Sequence, residues 1–546
     1  MKIALAQINY HIGNFSSNTR KIIDAIQKAK QQGADLVVFS ELAVSGYPPR
    51  DFLEFDDFIE RCENSVQKAA AHCYGIAAII GIPIPNHTPK GKDLFNAAYF
   101  IEEGKVTQTY HKALLPNYDI FDEYRYFEPG RSFNVIEFKG YKIALTICED
   151  LWDIGDDPMY TISPMDELQK QQPDFMINIA ASPFNHQQEK ERKNILKQNA
   201  VAYNMPLFYV NHVGAQTELL FDGGSLAMNS KGEIIFEANY FEEDLLLCDL
   251  DLVKSSRNLD VPQQKDKITL IHDALVMGVK NYFDKLGFKK AILGLSGGID
   301  SAVTLAVAAE ALGSENVYAV LLPSKFSSDH SIKDAVDLAE NLGIKYDIIK
   351  IENAVEALEL SVKSQFADLP FGIAEENIQA RIRGVILMAL SNKFGYILLN
   401  TSNKSEAAVG YGTLYGDMNG GISVLGDVYK TDVFLLARYM NRDAEIIPVN
   451  TIVKPPSAEL RPDQKDSDSL PDYDILDEIL YQYIEKRKGP RELIKLGFDQ
   501  AVVSRIIKLV NTNEYKRYQT APTLRVSSKA FGMGRRMPIV ARYLAD

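Results

Sequence analysis

Apolar residues in the first half of the chain come in short runs bounded by glycine, proline, asparagine and charged clusters, the spacing of buried strands. These runs predict strands at Lys2–Asn9, Asp35–Ser40, Ile76–Gly81, Ala97–Glu102, Lys142–Thr146, Phe175–Ile179, Leu207–Asn211, Ser225–Asn229 and Leu245–Leu250. Apolar positions at helical spacing predict helices near Ser17–Gln32, Asp51–Tyr74 and Gln188–Asn204. Turns such as Glu103-Gly104 and Lys231-Gly232 join neighbouring strands, so part of the sheet is expected to be antiparallel. Asp251 to Lys265, with Ser-Ser, Asn, Pro and Gln-Gln, reads as a linker. Beyond it the alternation becomes regular. A helix at Ile268–Leu286 precedes a strand at Ala291–Leu295 and a helix over Ala302–Leu312, and strands follow near Asn316–Leu322, Tyr346–Ile351 and Tyr396–Thr401. Such βα alternation predicts a parallel sheet with its ligand at the carboxyl ends of the strands. Two α/β domains are expected, residues 1–250 and 266–546, joined by a linker at 251–265.

Length agrees, because 546 residues exceed what one hydrophobic core organises. The 46% hydrophobic and 24% charged composition is that of a globular protein. No apolar run approaches the roughly 20 residues of a membrane span, and Met1 to Gln7 reads as a first strand rather than a signal peptide. Four cysteines (Cys62, Cys73, Cys148, Cys248) lack paired or metal-binding spacing, which fits free thiols in a reducing cytoplasm. A net charge of −14 with no evident basic face argues against nucleic-acid binding. One small basic pocket can still take an anionic substrate.

The most informative stretch is Leu293-Gly294-Leu295-Ser296-Gly297-Gly298-Ile299-Asp300-Ser301. A strand, a small-residue turn and a helix N-terminus offer free N–H groups to an anion, and glycines let phosphate oxygens approach the backbone. Ser296 and Ser301 add hydroxyls. Asp300 would repel phosphate unless a divalent cation lay between them, which points to metal-chelated ATP. No Gly-Lys-Ser/Thr follows, so this is not a Walker A loop. An ordinary strand-to-helix turn is the plain alternative, but the complete Ser-Gly-Gly-x-Asp-Ser resembles the pyrophosphate loop of the ATP pyrophosphatases, which cleave ATP between its α and β phosphates.

Three residues stand out in the first half: Glu41 after Val37-Val38-Phe39-Ser40, Lys112 in the loop-like stretch Tyr110-His111-Lys112, and Cys148 after Ile143 to Ile147. A thiol beside a carboxylate and an ammonium can act as a nucleophile: the base takes its proton and the cation stabilises the thiolate and then an oxyanion. Singly, each reads as a core thiol, a strand-end acid and a surface cation. Together they resemble the Glu-Lys-Cys triad of the nitrilase (carbon–nitrogen hydrolase) superfamily, with Ser45-Gly46-Tyr47 and Phe121 to Phe127 matching as well. The resemblance implies an αββα sandwich, Cys148 as nucleophile, Glu41 as general base, Lys112 as oxyanion stabiliser and Glu123 as supporting acid. Within the glutaminase members it implies Tyr47 and Ser182 as glutamine contacts. The basic residue usual shortly after Ser-Pro-Phe is here Gln188, leaving Lys190 or Arg192 to hold the glutamine carboxylate.

In the second half, Asn377 to Gly384 is expected to start a helix with two arginines, Arg381 and Arg383, suited to phosphate or carboxylate recognition or simply to solvent. Glu406 follows a predicted strand, as a surface acid or as a partner for Asp300 in oxygen-only Mg²⁺ coordination. The polar stretch from Pro455 to Pro471 reads as a lid or a surface insertion. With Gly410 to Asp417, Gly426 to Thr431 and Arg525 to Pro538, these words resemble the synthetase domain of NAD⁺ synthetases from Gln263 onward. The whole chain is similar to the glutamine-dependent members of that family.

What the resemblance implies is specific. ATP is the co-substrate, held by Ser296, Gly298, Ser301, Thr401, Lys430 and Ser457 on a Rossmann-like parallel sheet. Mg²⁺ is the cofactor, held by Asp300 and Glu406. Asn377, Arg381, Asp417 and Lys529 hold deamido-NAD⁺, glutamine or ammonia supplies the nitrogen, and the protein is a homo-oligomer. Two rivals carry the same loop: an ATP pyrophosphatase acting on a nucleobase or tRNA, and an inactive nucleotide sensor. The nitrilase-type front end and the acidic charge disfavour the first, and the retained reactive residues disfavour the second.

Overall fold

Strands Lys2–Gln7 and Leu36–Phe39 bury every side chain except Lys2, and Ala77–Pro85 exposes only its last proline. Near-continuous apolar strands of this kind belong in a parallel arrangement covered on both faces. A computed structural model describes residues 1–155, 158–255, 265–367, 369–462, 464, 466–468 and 470–542. It divides into two units, Met1–Lys265 and Asp266–Asp546.

The first unit holds two six-stranded sheets. One runs in the order Asp244–Asp249, Lys2–Gln7, Leu36–Phe39, Ala77–Pro85, Leu94–Glu102, Lys105–His111. Its three parallel strands are flanked by antiparallel ones. The other runs Ile234–Glu237, Leu226–Met228, Leu207–Val210, Phe175–Ile179, Tyr141–Ile147, Ile136–Phe138, again with three parallel strands inside antiparallel edges. One core joins the sheets: Ile3, Leu5, Val38 and Phe100 from the first pack with Ile143, Leu145, Ile177 and Phe208 from the second. Helices Phe15–Gln31 and Asp56–Ala70 pack on the first sheet and Pro164–Gln169 on the second. This is the expected αββα sandwich.

Lys105–His111 is a strand where the sequence suggested a loop. Its lysine, threonines and glutamine lie on an exposed sheet edge, so no apolar run marks it. The hairpin before it turns at Glu103 (φ 46°) and Gly104 (φ 75°), the left-handed pair a tight hairpin favours. The expected linker lies mostly outside the described residues, but its first residues belong to the helix Leu250–Lys254, which Asp249 caps.

The second unit is a five-stranded, wholly parallel sheet ordered Lys345–Ile348, Val317–Leu321, Ala291–Gly294, Ile397–Asn400, Ile422–Ser423. The chain order reverses direction at Ala291–Gly294, which opens a crevice at the carboxyl ends of that strand and its neighbour. Helix Lys267–Leu286 is capped by Asp266, whose carboxylate accepts from Ile268 and Thr269 N–H at 2.8 and 3.0 Å. The helix expected to begin at Asn377 begins at Ile373, where the Glu375 carboxylate accepts from the Gly372 N–H at 2.8 Å and satisfies one free donor of the first turn. A separate cluster around Leu476, Ile479, Val503 and Ile507 packs the later helices beside the sheet.

Candidate active sites

Parallel strands present their carboxyl ends on one side, and that side builds the first centre. Glu41 follows Leu36–Phe39, Lys112 follows Lys105–His111, Cys148 follows Tyr141–Ile147, and Ser182 follows Phe175–Ile179. Lys112 Nζ lies 2.6 Å from Glu41 Oε1 and 2.9 and 2.7 Å from the two oxygens of Glu123. Lys112 and Glu41 are 0% exposed. Burial works against the ammonium, but Glu123 and Glu41 outweigh it and hold its pKa well above the ordinary lysine value. Burial pushes Glu123 up to about 7, against the pull of Lys112.

Cys148 sits at φ 44°, a strained backbone for a residue with a side chain, at the turn from strand to 3₁₀ helix. Burial raises its thiol well above the ordinary value, and Glu41 adds to that while Lys112 opposes it. The Cys148 thiol is therefore held toward its neutral form, close to the Lys112–Glu41 pair.

Two residues that drew no role from the sequence hold this geometry. Asn96 donates to Glu41 Oε1 at 2.7 Å and to Glu123 Oε2 at 3.4 Å, bridging the carboxylates. Asp150 accepts from Ile147 N–H at 3.0 Å and from Ala113 and Leu114 N–H at 3.0 and 2.9 Å. It thus ties the strand end bearing Cys148 to the chain just after Lys112. Glu149 accepts from the hydroxyls of Tyr118 and Tyr160 at 2.8 and 3.2 Å. The Cys148-Glu149-Asp150 run was visible; what each acid touches is a matter of tertiary structure.

Two expected glutamine contacts already have partners, one of them within the centre itself. Arg192 is buried and forks onto Asp222, with Nη1 and Nη2 at 2.9 and 2.8 Å from its two oxygens, so its charge is already matched. Tyr47 donates its hydroxyl to Glu123 Oε1 at 2.9 Å. Ser182 is buried near them, its N–H donating to Asn211 Oδ1 at 2.8 Å.

The second centre is a cavity of about 590 Å³ at the crevice of the parallel sheet. Ser296, Gly298, Asp300, Ser301, Thr401, Glu406, Lys430 and Ser457, the residues expected to hold ATP and the metal, all line it, and so does Asp417, expected to hold the dinucleotide. Gly297 is at φ 80°, and a side chain there would meet Ser331 O at 2.1 Å, so the turn admits only glycine. Ser296 and Ser301 hydroxyls lie 3.1 Å apart, and Gly298 N–H points to Ser296 Oγ at 3.2 Å. These are the donors a phosphate would use.

Lys430 Nζ lies 2.5 Å from Asp300 Oδ2 and 3.4 Å from Glu406 Oε1, and Asn403 donates to Asp300 Oδ1 at 2.8 Å. Burial and then Asp300 push Glu406 up to about 8, against Lys430. Two oxygen-only donors that repel each other around a cation form a place where added positive charge is favourable. That set suits Mg²⁺, although among the described residues no cluster of three metal-binding side chains occurs.

Not every expected residue reaches the cavity wall. Asn377 accepts from Thr413 Oγ1 at 2.6 Å, Arg381 donates to Leu414 O at 3.2 Å, and neither they nor Lys529 line the cavity. Arg383 lines it instead, and burial pulls its guanidinium down to about 10 against Asp417 and Glu459. Helical phase, invisible without the helix's orientation, separates the two arginines. Pro455 to Arg461 also lines the cavity, with Glu459 accepting from the hydroxyls of Ser328 and Ser331 at 2.7 and 2.8 Å. Within the expected lid, Asp463, Lys465 and Ser469 lie outside the described residues.

A family model for carbon–nitrogen hydrolases matches residues 2–257, and one for NAD synthases matches residues 271–520. Fold and centres together define a class: an amide-hydrolysing nitrilase-type unit and a nucleotide-binding synthase unit on one chain. A glutamine-dependent NAD(+) synthetase from Synechocystis sp. is 47% identical over 99% of each chain. The solved glutamine-dependent NAD+ synthetase of Acinetobacter baumannii, in complex with adenosine diphosphate, is 40% identical with a TM-score of 0.77, over 100% of this chain and 99% of that one. That of Cytophaga hutchinsonii shares the fold at 22% identity, with a TM-score of 0.83 over 99% and 98%. The chain belongs to the glutamine-dependent NAD(+) synthetases.

Proposed function

We propose that residues 1–250 release ammonia from glutamine and that residues 266–546, beyond the linker at 251–265, use it to amidate deamido-NAD⁺ at the expense of ATP. The observation that carries this reading is the Lys112 ammonium bridging Glu41 and Glu123 beside Cys148, in a chain that also holds a Ser-Gly-Gly-x-Asp-Ser cavity.

In the first centre Cys148 Sγ attacks the glutamine side-chain amide while Glu41 takes the thiol proton. Lys112 stabilises the oxyanion of the tetrahedral adduct. Glu41 returns the proton to the departing nitrogen, ammonia leaves, and water hydrolyses the thioester to glutamate. Asn96 and Asp150 act by fixing Glu41 and Cys148 in place. Ser182 contacts glutamine on this reading. The partner of its α-carboxylate is then Lys190 or another donor, since Arg192 is matched by Asp222.

In the second centre the nicotinate carboxylate attacks the α-phosphorus of ATP. An oxygen–phosphorus bond forms, the α–β bridging bond breaks, and pyrophosphate leaves. Ser296, Gly298, Ser301, Lys430 and Ser457 hold the phosphates, Thr401 the nucleotide, and Asp417 with Arg383 the dinucleotide side of the cavity. Asp300 and Glu406 would hold Mg²⁺, which when bound neutralises phosphate charge. Ammonia then attacks the acyl carbon of the adenylate and AMP departs, leaving the amide. A homo-oligomer is part of the proposal, supported by the exposed apolar residues Leu360, Ile373, Val385 and Phe394 on helices Glu352–Phe366 and Ile373–Phe394. A cytoplasmic location is part of the proposal; among the described residues no helix is long and apolar enough to cross a membrane.

The test is product analysis with deamido-NAD⁺, ATP and Mg²⁺ plus either glutamine or ammonium. Equal amounts of AMP, pyrophosphate and NAD⁺ are expected with either nitrogen source, and glutamate only with glutamine. ATP left uncleaved with both sources would rule the reading out.

A further inference from the structure

The two acids that line the cavity beside Lys430 come from different elements, Asp300 from helix Ile299–Leu312 and Glu406 from helix Lys404–Val409. One buried side chain touches both. Asn403, 0% exposed, donates its amide to Asp300 Oδ1 at 2.8 Å, and its side-chain oxygen accepts from Glu406 N–H at 2.9 Å. A carboxylate without a proton only accepts and a backbone N–H only donates, so these two partners fix which way the amide points. The Asn403 N–H reaches Glu406 Oε2 at 3.5 Å and closes a capping box on the helix that carries Glu406. Lys430 joins the same acids through their other oxygens, at 2.5 Å from Asp300 Oδ2 and 3.4 Å from Glu406 Oε1.

The two bridges differ in how they meet a metal ion. A divalent cation held by these carboxylates repels the Lys430 ammonium and competes with it for the same oxygens. The Asn403 amide carries no net charge, so its hold on Asp300 survives the arrival of the ion. With Oδ1 engaged by that amide, Asp300 presents one oxygen, Oδ2, to a newcomer. Mg²⁺, which demands near-octahedral geometry, suits that presentation, whereas Ca²⁺ also takes both oxygens of one carboxylate. We propose that Asn403 is a positioning residue that sets Asp300 and Glu406 for Mg²⁺ and against Ca²⁺. The inference rests on the reading of these two acids as the metal-holding pair. Groups that orient metal ligands without touching the metal change its affinity about ten- to a hundredfold when removed.

The test uses the full chain and reads bound Mn²⁺, as a probe for Mg²⁺, by electron paramagnetic resonance, followed by displacement with Ca²⁺. Wild type is compared with Asn403→Ser, Asn403→Ala and Asp300→Asn. Asn403→Ser keeps an oxygen to cap the Glu406 N–H but is too short to reach Asp300, and Asn403→Ala loses both contacts. Kd for Mn²⁺ is expected to rise about tenfold in both Asn403 variants. The ratio of Ca²⁺ to Mn²⁺ at half-displacement is expected to fall about threefold in both. A wild-type Kd in Asn403→Ser, with a rise only in Asn403→Ala, overturns the proposal, because the residue would then act as a helix cap alone. An unchanged Ca²⁺ ratio overturns it as well. If Asn403→Ala does not fold, Asn403→Ser decides alone. Wild type that binds no Mn²⁺, or binding that Asp300→Asn leaves intact, overturns the reading of the metal pair and this inference with it. Binding lost in Asp300→Asn but unchanged in Asn403→Ser overturns the inference only.

Discussion

The two centres meet the same problem, charge held away from water, in opposite ways. In the first, ammonium and carboxylates are matched within the protein: Lys112, Glu41 and Glu123 are buried against one another, with Asn96 filling a remaining bond. In the second, Lys430 is buried but Asp300 and Glu406 are each 17% exposed toward a cavity of about 590 Å³. A nucleophile centre gains from groups fixed before substrate arrives, because orientation carries the rate. A nucleotide centre has to hold charges that the ligand will rearrange, so its groups are left partly open. The contrast predicts that substitutions in the first centre damage fold and chemistry together, and in the second mainly binding.

The sharpest break in that comparison is Cys148→Ala, which removes the proposed nucleophile without unpairing any charge. Glutamine-supported NAD⁺ formation is expected to fall at least about a thousandfold, while ammonium-supported synthesis stays near wild type, as read by NAD⁺ production with each donor. Next comes Lys112→Met. It leaves Glu41 and Glu123 buried without their cation, and breaking a buried pair from one side costs about 3–5 kcal/mol. Urea unfolding followed by a probe in the first unit measures it. A loss well under 1 kcal/mol would mean that the carboxylates take up protons freely and that the pairing is not what holds the site.

How far these centres could be read from sequence follows the same contrast. The glycine-rich loop is contiguous, so Ser296 to Ser301 announces itself, and the cavity gathers Thr401, Glu406, Asp417, Lys430 and Ser457 around it. The Glu41, Lys112 and Cys148 triad is scattered through the chain but sits at strand ends, and two of those strands were apolar enough to see. The third, Lys105–His111, is a polar edge strand and was missed. What stayed hidden depended on phase and pairing. Arg381 and Arg383 differ by two residues, but only Arg383 reaches the cavity, and Arg192, a natural carboxylate ligand by residue type, is gripped by Asp222, a pairing that sequence does not display. The parallel sheet of the second unit follows from the strand pattern, whereas the αββα sandwich is implied only by the family resemblance.

In the second centre, Lys430→Ala tests the other half of the comparison. Its ammonium is expected to pass from Asp300 to ATP phosphate, so kcat/KM for ATP should fall roughly ten- to a hundredfold. Stability should hardly change, because Asp300 and Glu406 can then meet water or protonate. Ammonium-supported kinetics over a range of ATP and Mg²⁺ concentrations, with thermal unfolding of the same variant, read both quantities. A large drop in Tm with unchanged ATP kinetics would reverse the distinction drawn between the centres.

The smallest effect lies beneath the second centre, where His272 shows that this unit also contains a matched buried charge, away from the cavity. Its ring nitrogens are 3.0 Å from Asp273 Oδ1 and from Glu310 Oε2, and the ring packs on Tyr439. Burial lowers its proton affinity, but Asp273 and Glu310 override that and carry the pKa up to about 9. For a base whose folded pKa lies above its unfolded value near 6.5, the stabilisation is complete below that value and fades as pH rises through about 9. Glu310 is half exposed, so screening reduces the contribution to roughly 1–2 kcal/mol. Unfolding of the second unit at pH 6 and at pH 9.5, in wild type and His272→Asn, isolates it: the wild type should lose that amount more than the variant between the two pH values. An equal loss in both would show that the imidazole is neutral in the fold and carries no matched charge there.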